Sequence, residues 1–245
     1  MRHRPSAWLP ACVLGLGLVL AGSATVQVRT ATDAQGQAIR VDGSVVIVEP
    51  DIELSQVTAG GLAEPRKAWS DDARRLYPAA VHAVLDARHT AARPDFHVPE
   101  GLDPASRLGQ ILRLNEAVAL SIAQYSQPYS ELATKKDPAT GKPLLDWSLG
   151  PGVSELRAAT GADFALFTYI RDSYTSEGRV ALRVVGVMLL GGDIGGGKQV
   201  GVATLVDLRS GKIVWFNLLQ RQSGDLRDEA GTKATVDQML EGIPL

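Results

Sequence analysis

Gly161-Ala-Asp163 opens the stretch that decides the fold. From there to Leu219 the chain runs through apolar segments broken by Ser176-Glu-Gly178, by a glycine-filled loop and by Arg209-Ser-Gly211. Each segment is too short for a solvated helix and too rich in Val, Leu, Phe, Tyr and Trp for a loop, so a sheet is the economical reading. Strands are expected at 163–174, 179–190, 199–208 and 212–219. The connections among the last of them are short enough to force antiparallel pairing.

Working outward, a short helix at 153–160 precedes this sheet and ends on Gly161 in the left-handed capping position. Residues 127–152 hold four prolines together with Lys135, Lys136 and Lys142, and read as a mobile loop. Before it, Asp103 and Pro104 supply a cap and first turn for a helix whose stripe is Leu108, Ile111, Leu112, Val118, Ala119, Ile122 and Tyr125. Asn115 interrupts that stripe and, if buried, needs a hydrogen-bond partner. Residues 93–101 form a Pro-containing linker. An earlier helix spans 70–90, with Tyr77, Ala80, Val81, Val84 and Leu85 at three- and four-residue spacing, and Pro78 either kinks it or marks its start. Residues 44–49 read as one buried strand ended by Pro50, 58–62 as a loop, and 25–43 as a flexible lead-in. The chain closes on a helix over 225–241, capped by Gly242 and stopped by Pro244. The fold class is therefore α+β: a predominantly antiparallel sheet, one early strand plus a four-strand meander, with helices packed on it.

The amino terminus has Arg2 and Arg4, an apolar run over 11–21, and the small residues Gly22, Ser23 and Ala24. This is the pattern of a secretory signal over 1–24, cleaved after Ala24, with an apolar core too short for a bilayer span. Retained, it would be a membrane anchor. Leu20-Ala-Gly-Ser23 has the form of a bacterial lipobox with serine in place of the lipidated cysteine, and a hydroxyl cannot carry the thioether. The expectation is release into the periplasm, with 44–245 as a single domain.

The 245 residues are 45% hydrophobic and 21% charged, with 25 basic against 27 acidic side chains. Without residues 1–24 the balance is 23 against 27. Phosphate binding needs clustered positive charge, so nucleic acid is not an expected partner. The one cysteine, Cys12, lies inside the signal, and the remaining chain must be held by its core alone.

Gly192-Asp-Ile-Gly-Gly-Gly197-Lys198 fits the spacing of a phosphate-binding loop. Such a loop opens a helix and is followed by Ser or Thr for magnesium, whereas here Gln199 follows and the next residues read as a strand. Nucleotide hydrolysis at the 191–198 loop is thus a minor alternative. His82, Asp86 and His89 share a helix face at spacing that can bind zinc, but the face lies opposite the apolar stripe and reads as wet. No metal and no cofactor are expected, and no nucleophile with a partnered base is present. Arg171 and Asp172, at the end of a strand, read as a solvated rim or an ion pair. With Tyr174 they form the candidate interaction patch.

Taken together, Gly161-Ala-Asp163 followed by an apolar strand, and Val206-Asp-Leu-Arg-Ser-Gly211-Lys-Ile-Val-Trp215, resemble the periplasmic module shared by the TolB amino-terminal domain and CsgG-like envelope proteins. The resemblance covers 153–244. It implies an α/β envelope protein that works through protein contacts, often as a lipoprotein. The expected function is a non-enzymatic interaction or assembly module with an envelope protein as partner, the alternative being a component of an outer-membrane secretion or assembly system.

Overall fold

The computed structural model describes residues 25–33, 35–125, 131–138, 140–176, 197–222 and 224–245. The protein is α+β, with one mixed and mainly antiparallel sheet. Its strands are β1 (Thr25–Thr30), β2 (Val45–Ile47), β3 (Asp51–Val57), β4 (Ala63–Pro65), β5 (Phe164–Thr175), β6 (Gln199–Asp207) and β7 (Ile213–Arg221), and its helices are α1 (Lys67–Ala87), α2 (Arg107–Gln124), α3 (Ser154–Thr160) and α4 (Glu229–Met239). The spatial order is β1-β7-β6-β5-β3-β4, and β2 also pairs with β5.

β5, β6 and β7 form the antiparallel meander read from their apolar runs, with Phe167 opposite Thr204 and Thr204 opposite Phe216. The run expected at 179–190 lies outside the described residues, as do the signal segment and Ala24. The turn between β6 and β7 shows why its sequence is Asp207-Leu-Arg-Ser-Gly211. Asp207 accepts from the Arg209 amide at 2.8 Å and from the Ser210 hydroxyl at 2.7 Å. Gly211 has φ +74°, and a Cβ there would lie 2.2 Å from the Gly150 carbonyl oxygen, so only glycine fits.

Three features differ from the sequence reading. The segment 25–43, expected as a flexible lead-in, contributes β1, which pairs with β7 from Thr25 opposite Gln220 to Thr30 opposite Trp215. Its alternation is masked by polar side chains because it is an edge strand, exposed on one side. The early strand does stop short of Pro50, but a second strand absent from the sequence reading, β3, follows the proline, and β2 and β3 both run parallel to β5, at Phe164–Leu166 and Tyr169–Thr175. Proline removes one ladder donor and interrupts the strand without redirecting it. The 93–101 linker begins by running along β2, with the Arg93 and Phe96 amides donating to the Val45 and Ile47 carbonyls.

The helices also begin elsewhere than expected. α1 starts at Lys67 and is continuous through Pro78. Asp71 and Asp72 therefore sit beyond its first turn, where they pair with Lys67, Arg74 and Arg75. Ser106, not Asp103, caps α2 by accepting from the Gly109 amide at 3.1 Å. α3 ends on Gly161 at φ +64°, as its sequence requires. Asp228 caps α4.

Two cores result. α1 and α4 cover one face, with Tyr77, Val81, Leu85, Val236 and Met239 against Leu166, Ile170, Leu205 and Trp215. α2, α3 and the 145–149 segment cover the other, with Ile111, Ile122, Leu149 and Leu156 against Phe167, Val206 and Phe216. In the Pro/Lys-rich loop, described residues are tied down at Lys136 opposite Pro143, at Ser148 opposite Lys212, and by Lys136–Glu131 at 2.7 Å.

Candidate functional site

The candidate patch of Arg171, Asp172 and Tyr174 is split by strand alternation. Arg171 points to the α2 face, lies over the Tyr169 ring at 3.9 Å and pairs bidentately with Asp51 at 2.9 and 3.1 Å. Asp172 points the other way and is only 4% exposed, so it is neither a solvated rim residue nor the partner of Arg171. Its Oδ2 accepts from the Tyr174 hydroxyl and from Gln199 Nε2, both at 2.6 Å. Tyr174 in turn accepts from the Leu226 amide at 2.8 Å. Gln199 Oε1 takes a bond from Arg221 Nε at 2.5 Å, and Arg221 reaches on to Gln238 and Thr235 of α4.

This network joins β5, β6, β7 and α4 through a charge that burial disfavours. Desolvation pushes the Asp172 carboxyl up to about 6, against the hydrogen bonds from Tyr174 and Gln199 and the nearby Arg221 charge that hold it down. Burial, with the Asp172 charge adding to it, also pushes the Tyr174 phenol upward. Outside the network Arg227 lies over Tyr174 at 4.1 Å and over Trp69 at 5.0 Å, and pairs with Asp225 at 2.6 Å. Asp172 and Tyr174 thus fasten α4 and its lead-in to the sheet, with Asp172 Oδ2 and the Tyr174 hydroxyl engaged internally.

The glycine-loop residues 191–196 lie outside the described residues. At the loop's end, Lys198 runs directly into β6 and not into a helix. The amides of Gly197 and Lys198 are taken by the Thr175 and Ser173 hydroxyls at 2.9 and 2.8 Å. His82, Asp86 and His89 do not form a ligand set. α1 ends at Ala87, His89 follows it at φ +56°, and His82 Nε2 is engaged by Asp95 at 2.8 Å. Among the described residues no group of three or more His, Cys, Asp or Glu could hold a metal ion. Nor is any helix among them long and apolar enough to cross a membrane.

Asp163 of the Gly-Ala-Asp sequence is a clamp. It accepts from Arg209 at 2.8 Å and from the Ser44 amide and hydroxyl at 3.1 and 3.2 Å. The Arg209 guanidinium, followed by the Ser44 amide, holds its carboxyl down to about 2. The chain entering β2 is thereby tied to the β6–β7 turn.

Concave surfaces lie on both faces of the sheet. On the α1–α4 face, an open groove of about 500 Å³ is lined by Leu76, Ala79, Ala80, Ala83, Val84 and Ala87 of α1, and by Glu229, Lys233 and Asp237 of α4. Ala79, Ala83 and Ala87 are exposed. On the opposite face, a cavity of about 230 Å³ lies between α2 and the sheet. Its buried wall holds Ala119, Phe167, Val202 and the pair in which the Thr204 hydroxyl donates to Asn115 Oδ1 at 2.8 Å. Its exposed edge carries Glu49, Asp51, Arg113, Glu116 and Leu120. The sequence signalled this cavity only through Asn115, the polar break in the α2 stripe.

Fold and surfaces define the class: an α+β protein with a helix-covered mixed sheet and an apolar concavity on each face. No family model matches the chain, and no curated protein matches it. Among solved structures, a PelC dodecamer from Paraburkholderia phytofirmans is 12% identical with TM-score 0.38, the alignment covering 91% of this chain and 98% of that one. A second PelC dodecamer structure from that organism is 10% identical with TM-score 0.36, covering 89% and 95%. Likeness at this level carries no conclusion about partner or assembly.

Proposed function

We propose that this protein is exported to the periplasm and acts there without catalysis, as an interaction or assembly module for another protein of the cell envelope. The observation that carries this reading is the groove between α1 and α4. Alanines at 79, 83 and 87 recur every four residues on an exposed helix face, so the backbone of a partner helix or strand can approach closely. Apolar walls supply non-directional attraction. Arg88, Lys233, Glu229 and Asp237 around them provide both signs of charge for orientation. The basic start, short apolar run and small residues over 2–24 support export. The likeness of Gly161-Ala-Asp163 and the 206–215 turn to the TolB and CsgG-like module supports an envelope setting.

The test is site-specific photo-crosslinking in cells from position 83, with position 113 on the opposite face as control. A discrete adduct with an envelope protein is expected from position 83, lost when Ala79→Glu is added. A background-level result from position 83 in a chain shown by fractionation to be exported would overturn the reading. Amino-terminal sequencing of the exported chain is expected to begin at Thr25.

A further inference from the structure

We propose that the cavity between α2 and the sheet binds a small amphipathic amine: a compact apolar body with a hydrogen-bond acceptor at its inner end and an ammonium group at its outer end. Three independent features of the cavity carry this. The first is Asn115. It is 7% exposed and lines the cavity, and its Oδ1 is occupied by Thr204. Its amide nitrogen makes no hydrogen bond to any described residue. That nitrogen is not sealed off from the cavity that Asn115 lines, so an acceptor on a ligand can take its N–H groups. Asn115 also has a structural use, since it accepts from the buried Thr204 hydroxyl, which Leu or Ala at 115 would leave unmatched.

The second feature is the apolar wall. Ala119, Phe167 and Val202 are all buried and give an apolar body a surface to cover. The small side chain at 119 leaves the space that a larger one would fill. The third is the sign of the edge. Three carboxylates, Glu49, Asp51 and Glu116, face one guanidinium, Arg113, across the lining. Arg171 satisfies Asp51, and Glu49 accepts from the Val98 amide at 2.8 Å. Glu116 forms no ion pair among the described residues, so it is the carboxylate best placed to receive an ammonium group. With Arg171 counted beside Asp51, three carboxylates stand against two guanidiniums, and an anionic ligand would meet that net negative charge at the mouth. The cavity lies on the opposite sheet face from the α1–α4 groove, so occupancy here is independent of the partner reading.

Tyramine is the probe, because its phenolic oxygen can accept from Asn115 while its ammonium reaches the edge. Backbone amide shifts at Glu116, Phe167 and Val202 are followed by NMR in the full exported chain. Saturable shifts confined to this cavity are expected. Phenethylamine, which lacks the hydroxyl, should bind several-fold more weakly. 4-Hydroxyphenylpropionate, with a carboxylate in place of the ammonium, should be weaker by about tenfold or more. Glu116→Gln, an exposed and fold-neutral change, should weaken tyramine several-fold, and Leu120→Trp at the exposed mouth should block it. Absence of shifts at about 10 mM tyramine, equal binding of the amine and the carboxylate, or indifference to both variants overturns the proposal. Equal affinity for tyramine and phenethylamine overturns the role given to Asn115.

Discussion

Arg171 and Asp172 are neighbours in the chain and belong to opposite halves of the molecule. On the α1–α4 side, two of the described helices cover the sheet, one network runs from Asp172 through Gln199 and Arg221 to Thr235 and Gln238, and Asn217 donates separately to the Gln238 and Met239 carbonyls. On the α2 side, the long helix sits over the sheet with Asn115 and Thr204 as a buried polar contact between them, and a cavity opens beside that pair. A second helix and a charged network close one face. Among the described residues, the other is covered by α2 and α3, and space remains beside α2. Binding surfaces follow the same division: a shallow groove lies outside the well-packed face and a deeper cavity lies inside the looser one.

The largest effect that distinguishes the faces should come from β7, where Trp215 and Phe216 are both fully buried and point opposite ways. Truncating a buried aromatic costs its transfer free energy plus the cavity that surroundings fail to collapse. Trp215→Ala is expected to cost about 5 kcal/mol and Phe216→Ala nearer about 3, because α2 has room to settle. Urea denaturation of both variants measures this, and a larger loss for Phe216→Ala would break the contrast. Trp215→Phe should be much milder, since the Trp215 indole nitrogen has no partner among the described residues.

Next in size is the pH response of the network. The Asp172 carboxyl titrates at about 6 in the folded chain because it is desolvated, and at about 3.9 when unfolded. Between those values the folded state holds a proton that the unfolded chain has released. Stability therefore falls as pH rises from about 4 to 6 and is level above, a loss of up to about 3 kcal/mol from this group. Asp163 acts in the opposite sense and lower down. Its carboxyl is depressed to about 2 by Arg209 and Ser44, so its contribution is present above about 4 and lost as pH falls toward 2. Asp172→Asn keeps an oxygen acceptor for Tyr174 and Gln199 and removes the titration. The variant should lose the downward slope between about pH 4 and 6 and retain the acid limb below it. Equal slopes in parent and variant would show that the network does not carry a charge.

How much of this was legible follows from what each residue reports. Apolar runs punctuated by glycine announced β5, β6 and β7, and Gly161 announced the end of α3, because those signals are local. β1 was hidden because an edge strand such as Thr25–Thr30 needs only a neighbour, and nothing in its polar sequence names β7. β3 was readable: Ile52 and Leu54 alternate with Asp51 and Glu53, but Pro50 drew the boundary too early. The parallel pairing of β3 with β5 spans more than a hundred residues and leaves no local mark. At the site, charge at a strand end suggested a rim, while the two-residue period of the same strand placed Arg171 and Asp172 on opposite faces. Burial of Asp172 depends on Gln199, Arg221 and α4, all distant in sequence. Asn115 was the exception, since a polar residue in an apolar stripe declares its need for a partner, though not that Thr204 would be that partner.

The smallest test uses two successive residues of β6. Ala203 is fully buried on the α1–α4 side, where Leu205 and Trp215 belong to the same core, and Val202 lines the cavity on the other. Ala203→Leu forces extra volume into a filled layer and should cost about 1–3 kcal/mol. Val202→Ile adds one methylene beside open space and should stay within about 1 kcal/mol of the parent. It should also weaken tyramine several-fold, since the added carbon occupies ligand volume. If Val202→Ile destabilised the fold as much as Ala203→Leu, the looser face would be as tightly packed as the other, and the space attributed to a ligand would not exist in solution. If it left both stability and tyramine affinity unchanged, the cavity would persist but the ligand would lie away from β6, toward Glu116 and Leu120 on α2.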